Sequence, residues 1–222
     1  MAFHFRRLGL NLLKSKNKMP TYKLCYFNLR GLGEMARIVF AEVGVEYTDE
    51  RLEREGADWA ERKPKTPFGK LPILFVDDVQ IAHSRAILRY LGRIFNLMGS
   101  NELEAALVDM WIEVLFESAM AYPFNEQDEK KKAELADALW NDNLLPKLAK
   151  VNEQIIKSGG PYILGEKLSV ADIALFSKFE LLKVWFADKS LESVPYVTKM
   201  IETLENRPKI AAWLKKRPAS YI

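Results

Sequence analysis

The chain has 222 residues, of which 49% are hydrophobic and 28% are charged, an ordinary composition for a folded protein with one large core or two smaller ones. The net charge of +3 comes from residues 1–18, which hold five basic residues and no acid. This leaves 28 basic against 30 acidic residues in 19–222. That part has no basic block, so we exclude nucleic acid as the main partner, and no stretch approaches the run of about 18 apolar residues of a membrane span. The single cysteine, Cys25, excludes an internal disulfide and a zinc site built from cysteines.

Residues 1–18 form a basic, roughly amphipathic segment in front of a domain that we expect to start at Met19. The segment lacks the continuous apolar stretch and the small-residue cleavage site of a secretory signal. We interpret it as an unstructured extension or alternative start, while a mitochondrial presequence or a membrane-surface arm stays open. We expect a cytoplasmic protein, or a mitochondrial one if this segment acts as a presequence.

Residues 19–96 alternate between patterns typical of strands and patterns typical of helices. The β-α-β-α-β-β-α order predicts a thioredoxin-like domain with a mixed four-stranded sheet and helices on its faces. The predicted elements are strands at 22–27, 46–52, 71–76 and 79–82, helices at 34–43 and 84–95, and a connecting segment around Trp59.

From residue 100 onward the strand patterns stop and long helical periodicities begin, which predicts an all-helical domain over residues 100–222. A linker is expected near residues 96–101. Ser169 and Asp172 have the spacing of a capping box in front of an apolar run, so we assign them to folding. The expected helices cover 102–121, 129–157, 170–187, 195–206 and 208–216.

Several kinds of catalytic chemistry are excluded by residue type. His83 is the single histidine of residues 19–222, and no nucleophile elbow accompanies it, so a serine or cysteine hydrolase is excluded together with metal sites that need two histidines. The segment Gly31 to Gly33 lacks the remaining residues of a phosphate-binding loop. Chemistry that needs few protein groups remains, such as activation of a bound cofactor thiol.

A series of short motifs in a fixed order covers residues 19–222. The motifs are YKLCYFNLRGLGE at 22–34, ADW at 57–59, TPFGKLP at 66–72, HS at 83–84, RYLG at 89–92, SVAD at 169–172 and WLKKRP at 213–218. This series resembles the sigma-class glutathione transferases, most closely their nematode members, a class that includes the haematopoietic prostaglandin D synthases.

The resemblance implies that Tyr26, at the end of the first strand, donates a hydrogen bond to the glutathione sulfur and favours the thiolate. The alternative is a core tyrosine whose hydroxyl is bonded to the backbone. Pro72 is implied to follow a cis peptide bond, so that the backbone of Leu71 pairs with glutathione like an added strand. A strand that simply starts at an edge is the alternative.

Glutathione carries two carboxylates, and the resemblance implies a place for each. Ser84 precedes a helical run and is an N-cap candidate on sequence grounds, and a helix N-terminus suits an anion. The resemblance places the γ-glutamyl carboxylate there, and the glycine end at Trp59, Lys63 and Lys70. Each lysine could instead be an ordinary surface charge.

The predicted helix from residue 102 is strongly acidic, since residues 94–129 contain eight acids and no lysine or arginine. Asp109, Glu113 and Glu117 lie on one helix face, so we expect a compensating cation nearby. In the family this helix packs at a homodimer interface, and Glu117 matches a residue that reaches the partner's γ-glutamyl amine. Phe116 replaces one of three acids that bind a divalent metal in some relatives, so no metal is predicted.

Two residues depart from the family pattern. Leu32 stands where many sigma-class enzymes have an arginine that polarises the tyrosine, and His83 replaces the usual glutamine, with a different set of donors and acceptors. The resemblance implies an enzyme that adds glutathione to small electrophiles. A prostaglandin H to D isomerase and a non-catalytic protein on the same scaffold are the alternatives. The expected electrophile pocket consists of Phe27, Leu32, Met120 and Phe124.

Overall fold

The computed structural model describes residues 19–119 and 121–220, without the side chains of Leu115, Ser118 and Ala119. The segment 1–18 and Met120, both of which carried predictions, lie outside the described residues. Within the described part, no helix is both long enough and apolar enough to cross a membrane.

The N-terminal half has the predicted element order and forms one mixed sheet. The strand order is β2-β1-β3-β4, with β1 parallel to β2 and the other neighbours antiparallel. The thioredoxin-like prediction is therefore confirmed. The elements are β1 (Tyr22–Phe27), α1 (Glu34–Val43), β2 (Thr48–Leu52), α2 (Ala57–Arg62), β3 (Ile73–Val76), β4 (Val79–Ala82) and α3 (Ser84–Ile94).

Several boundaries differ from the prediction, among them the start of β2, which is Thr48 instead of residue 46, and the end of α3, which is Ile94 instead of residue 95. Strand β3 begins at Ile73 instead of Leu71, because Pro72 has no amide proton to donate to the ladder. The prediction of Ser84 as an N-cap was wrong by one residue. His83 is the N-cap, since its carbonyl accepts the first helical hydrogen bond, from the Ile87 amide at 3.0 Å, and Ser84 is the first helical residue.

The C-terminal half consists of helices, as predicted. The expected stretch 129–157 is two α-helices joined by a π-helical turn, Trp140–Leu144, whose two end residues are buried. The helices are α4 (Glu102–Ala119), α5 (Glu129–Leu139), α6 (Leu145–Ser158), α7 (Val170–Trp185), α8 (Pro195–Glu205) and α9 (Pro208–Lys216).

Helix α7 is the centre of the helical half. It is buried along most of its length, and its start is fixed by the predicted capping box, in which the Ser169 amide and hydroxyl donate to Asp172 at 2.8 and 2.6 Å. The other carboxylate oxygen of Asp172 accepts from the Ile163 amide at 2.8 Å. This helix packs against α4 and also against α1 of the sheet half.

The two halves share one hydrophobic core, which runs from Leu24 of the sheet to Phe176 of α7. Polar contacts join them as well. Arg207, before α9, pairs with Glu42 of α1 (Nε to Oε2 3.0 Å) and donates to the Tyr162 hydroxyl at 2.8 Å. The end of α1 is therefore held by the segment that precedes α9.

Candidate active site

Tyr26 is the penultimate residue of β1 and is only 6% exposed. The backbone amide of Leu32 donates a hydrogen bond of 3.0 Å to its hydroxyl oxygen. The side chain therefore lies beneath the segment that follows β1, whereas a strand-end position suggests a side chain that projects into an open cleft.

The glycines at 31 and 33 leave room for this tyrosine. A Cβ atom on Gly31 would lie 2.7 Å from the Tyr26 hydroxyl oxygen, and one on Gly33 would lie 2.6 Å from the ring. Gly31 also has a positive φ of 38°, which favours glycine. Gly31 and Gly33, whose segment lacks the remaining residues of a phosphate-binding loop, thus cover the Tyr26 side chain.

The surroundings of Tyr26 keep its hydroxyl protonated. Burial raises the pKa of Tyr26 above its ordinary value, while the Leu32 amide and the cations Arg37 and Arg54 act in the opposite direction. The neutral hydroxyl accepts from an amide, so its own proton is available for a second partner. A hydroxyl that accepts one hydrogen bond also becomes a better donor in another.

A cleft of about 790 Å³ lies between the start of α3 and helix α4, and Tyr26 itself is not among the residues that line it. Leu32 forms part of its wall, so the amide bonded to Tyr26 belongs to a residue that borders the cleft. Seven of the predicted site residues line it, namely Leu32, Lys70, Leu71, Pro72, His83, Ser84 and Glu117.

The edge of the cleft on the sheet side is formed by the turn into β3 and by the start of α3. The peptide bond between Leu71 and Pro72 is cis, as the resemblance implies. His83 has a φ of 68°, and its ring lies 5.2 Å from that of Phe68. The N-terminus of α3 therefore borders the cleft, together with the His83–Phe68 ring pair and the backbone of Leu71.

The opposite wall is an ion-paired surface between α3 and α4. Arg89 pairs with Asp109 at 2.7 Å and with Glu113, which also pairs with Arg85, and Arg93 lies 3.6 Å from Asp109. The predicted compensating cations are thus three arginines at i, i+4 and i+8, the same spacing as the acids. This matching spacing is the sequence signal that could have identified Arg85 and Arg89 as cleft residues.

Phe116, which lines the cleft, and Lys178, which contacts it from α7, were not predicted as site residues. Phe116 is 5% exposed, and its ring contacts two cations, with the centroid 5.4 Å from the Arg85 guanidinium and 4.6 Å from the Lys178 ammonium. Lys178 is itself buried in α7, and burial lowers its pKa to about 8. Glu117, one residue along, is exposed and lies 3.4 Å from Lys147.

The remaining predicted residues lie outside the lining of the cleft. Phe27 packs edge-on against Trp59 with ring centroids 5.4 Å apart and lies 5.6 Å from the Tyr26 ring. Lys63 is exposed at the start of a 3-10 turn. Phe124 is 52% exposed and contacts Trp185 at 4.9 Å. The expected electrophile pocket of Phe27, Leu32, Met120 and Phe124 stays a prediction.

Other reactive groups are few. Cys25 is fully buried on the sheet, and burial and the neighbouring Glu50 raise the pKa of its thiol to about 11, so it stays protonated at neutral pH. Among the residues that the structure describes, no group of three or more His, Cys, Asp or Glu residues could hold a metal ion.

Comparison with known proteins gives a consistent result. Residues 22–93 match the glutathione S-transferase N-terminal domain family, and residues 115–217 match the C-terminal domain family. The chain is 39% identical over 212 residues to "Glutathione S-transferase 1" of Ascaris suum (90% of this chain, 98% of that one). It is 39% identical over 209 residues to the hematopoietic prostaglandin D synthase of Gallus gallus (92% and 100%).

A solved structure shares both fold and sequence with this chain. The prostaglandin synthase D of Nilaparvata lugens is 36% identical, with a TM-score of 0.81 over 90% of this chain and 100% of that one. Identity at this level along nearly the whole length, with both domains matched in order, shows common descent. The chain belongs to the glutathione S-transferase family.

Proposed function

We propose that this protein conjugates glutathione to small hydrophobic electrophiles and that Tyr26 activates the thiol. The observation that carries this proposal is the 3.0 Å hydrogen bond from the Leu32 amide to the Tyr26 hydroxyl. It orients the hydroxyl oxygen and leaves the hydroxyl proton for a sulfur bound beside it. The raised pKa of Tyr26 suits a donor that must stay protonated.

The required energy is within reach of one hydrogen bond. A free thiol has a pKa of about 8.5, and lowering it by about 2 requires roughly 2.7 kcal/mol of preference for the anion. A charge-assisted hydrogen bond supplies about 1.5–3 kcal/mol. Many relatives have an arginine at position 32, where this chain has leucine. The backbone amide of Leu32 donates directly to the tyrosine oxygen, so this contact does not need an arginine side chain.

The reaction is a displacement or an addition by sulfur. The thiol proton passes to solvent, the thiolate forms a carbon–sulfur bond, and with an aryl halide the carbon–halogen bond breaks and halide leaves. Catalysis comes from keeping the sulfur anionic and holding it against the electrophile. We assign binding of the electrophile to a pocket formed by Phe27, Leu32, Met120 and Phe124.

The γ-glutamyl part of glutathione is assigned to the start of α3. The hydroxyl of Ser84 and the first amides of this helix suit its carboxylate, since a helix N-terminus attracts anions. The backbone of Leu71, held by Pro72, lies across the same cleft and suits the peptide part of the ligand. His83, where relatives have glutamine, adds one donor and one acceptor.

The glycine carboxylate of glutathione is assigned to the lysine side of the cleft. Lys70 lines the cleft and is exposed, and Lys63 is exposed nearby on the turn after α2. A lysine ammonium is a point charge suited to a terminal carboxylate. We assign Trp59, which packs on Phe27, to the same end of glutathione.

We also propose a homodimer in which Glu117 reaches the ligand of the partner subunit. Family members typically dimerise. Glu117 is exposed at the cleft and bound within this chain only to Lys147, at 3.4 Å among the described contacts. Sedimentation at micromolar concentration tests the assembly, and a stable monomer contradicts it. A cytoplasmic location stays a prediction from the sequence.

A second candidate function is prostaglandin H to D isomerisation, which uses the same thiolate without consuming glutathione. The 39% identity to a prostaglandin D synthase over 92% of this chain favours it. Phe124 stands where mammalian synthases have tryptophan, so we rank isomerisation below conjugation as the candidate function.

The direct test combines retention on immobilised glutathione with turnover of a chromogenic aryl halide, followed by an isomerase assay on the same preparation. Retention with turnover supports the transferase. Retention without turnover of either substrate identifies a non-catalytic binding protein. Absence of both retention and turnover in folded protein overturns the proposal.

A further inference from the structure

The segment that carries the Leu32 amide is held by a buried arginine. We call residues 28–33, between β1 and α1, the tyrosine loop. Arg37 of α1 is fully buried and donates from Nη1 to the carbonyl oxygen of Leu29 in this loop at 2.7 Å. Its guanidinium carbon also lies 5.8 Å from the centre of the Tyr26 ring. Arg37 thus contacts both the loop and the side chain that the loop covers.

Arg37 is connected to the C-terminal end of the chain through one buried carboxylate. Glu34 is 1% exposed, and its Oε2 lies 3.3 Å from Nη1 of Arg37. Its Oε1 accepts from Nε1 of Trp213 at 2.8 Å and from Nη1 of Arg217 at 3.1 Å. Trp213 of α9 and Arg217, which follows this helix, therefore help fix the carboxylate that accompanies Arg37.

Arg217 also connects to the tyrosine loop by a second route. Its two terminal nitrogens bind Glu180 of α7 at 2.9 and 2.6 Å, a paired geometry that fixes direction as well as distance. Glu180 in turn lies 3.5 Å from Arg30, a residue of the loop. The loop is thus held by a hydrogen bond from Arg37 on one side and by an ion pair with Glu180 on the other, and both routes lead to Arg217.

We propose that Arg217 is a positioning residue for thiol activation and that it acts through Glu34 and Glu180 on the tyrosine loop. The inference rests on the proposed role of Tyr26. A hydrogen bond weakens as its geometry departs from the optimum, so the position of the Leu32 amide determines how well the Tyr26 oxygen is polarised. Loss of Arg217 leaves the buried Glu34 with fewer cations, and the loop relaxes.

The alternative is that Arg217 only holds the two halves of the molecule together. Arg207 separates the two explanations, because it is also an arginine next to α9 that pairs with a residue of α1. Its partners are Glu42 and Tyr162, and neither belongs to the tyrosine loop. Arg207→Ala is therefore a matched control for lost contacts between the halves.

The experiment measures the pKa of enzyme-bound glutathione from the ultraviolet absorption of its thiolate, together with kcat and KM for glutathione. We expect Arg217→Ala to raise the pKa of the bound thiol by about 1 and to lower kcat roughly tenfold below that pKa, with KM changed less than about twofold. Arg217→Lys should recover part of both losses. Trp213→Phe, a milder change at the same carboxylate, should shift both quantities in the same direction.

Arg207→Ala should lower stability without changing the pKa of the bound thiol. The inference is overturned if Arg217→Ala and Trp213→Phe bind glutathione with the parent's thiol pKa, or if Arg207→Ala changes that pKa as much as Arg217→Ala. A Tyr26→Phe variant measured in parallel separates the two proposals. If thiol activation is lost in Tyr26→Phe but not in Arg217→Ala, the proposed function stands and the role of Arg217 is rejected. If activation is not lost in Tyr26→Phe, both proposals are rejected.

Discussion

The amide of Leu32 and the hydroxyl of Tyr26 are joined by a hydrogen bond of 3.0 Å, although Leu32 stands where many relatives have an arginine. The backbone of this position therefore polarises the tyrosine whatever side chain it carries. Arg37 and Arg54 also lower the pKa of Tyr26 against the effect of burial. Leucine at position 32, where many relatives have arginine, thus leaves the backbone contact with Tyr26 in place.

Gly33 leaves room for the tyrosine ring, so Gly33→Ala should displace it. The new Cβ would lie 2.6 Å from the ring, and backbone strain is not the cause, because φ is −81°. We expect kcat to fall at least about tenfold, with a stability loss of about 1–3 kcal/mol. Steady-state kinetics and denaturant unfolding check both.

Gly44→Ala is the matched control for this substitution. Gly44 ends α1 with a φ of 72°, and an added Cβ would meet only the Lys209 side chain. It should cost about 1–2 kcal/mol of stability with kcat unchanged. A parent-like kcat in Gly33→Ala would contradict the prediction, because it would show that the Tyr26 ring accommodates the added methyl group without being displaced.

The fold was predictable from periodicity, but the site was predictable only in part. Strand β1 and helix α9 have the predicted bounds, because each is a short, clear pattern bounded by turn residues. The π-helical turn at Trp140–Leu144 was missed, since its apolar residues continue the helical period of their neighbours.

Candidate site residues that stand in local motifs were easier to predict than residues that tertiary contacts bring to the site. Ser84 and Leu71 border the cleft as expected. For Tyr26, the sequence left open a core tyrosine bonded to the backbone, and the burial and the Leu32 contact match that alternative. Its cover by the two glycines was not predicted, because it depends on how the loop folds back. Glu34 and Arg217 are 183 positions apart, and no local pattern reports such a contact.

Asp172 should be among the most important polar residues for stability. It accepts hydrogen bonds from the Ile163 amide and from the amide and hydroxyl of Ser169, all in a fully buried setting. Asp172→Ala leaves these donors unpaired and should cost about 3–5 kcal/mol. Ser169→Ala removes one hydroxyl donor and should cost about 1 kcal/mol. Equal losses in chemical denaturation would contradict this ranking.

Lys178 should reduce stability at neutral pH, because its charge is buried against Phe116 and its pKa is lowered to about 8. The unfolded chain binds this proton more tightly than the folded one, so the lysine's contribution to stability rises with pH between about 8 and 10.5. Lys178→Met should therefore stabilise the protein by about 1–3 kcal/mol at pH 7, with the gain shrinking towards pH 10.

Lys183→Met, on the same helix, is the control. Lys183 is half exposed and pairs with Glu205 at 3.3 Å, so its replacement should change stability by less than about 0.5 kcal/mol. A loss of stability in Lys178→Met at pH 7, or a gain that does not depend on pH, would contradict a buried charge at this position.

The central claim is that the Tyr26 hydroxyl stabilises the glutathione thiolate. The most direct measurement is the pKa of the bound thiol in Tyr26→Phe and in the parent, taken from thiolate absorption across pH. We predict that the variant binds glutathione within about twofold of the parent, that the thiol pKa returns to about 8.5, and that turnover near pH 6.5 falls more than about tenfold. An unchanged thiol pKa with parent-like turnover would contradict the account.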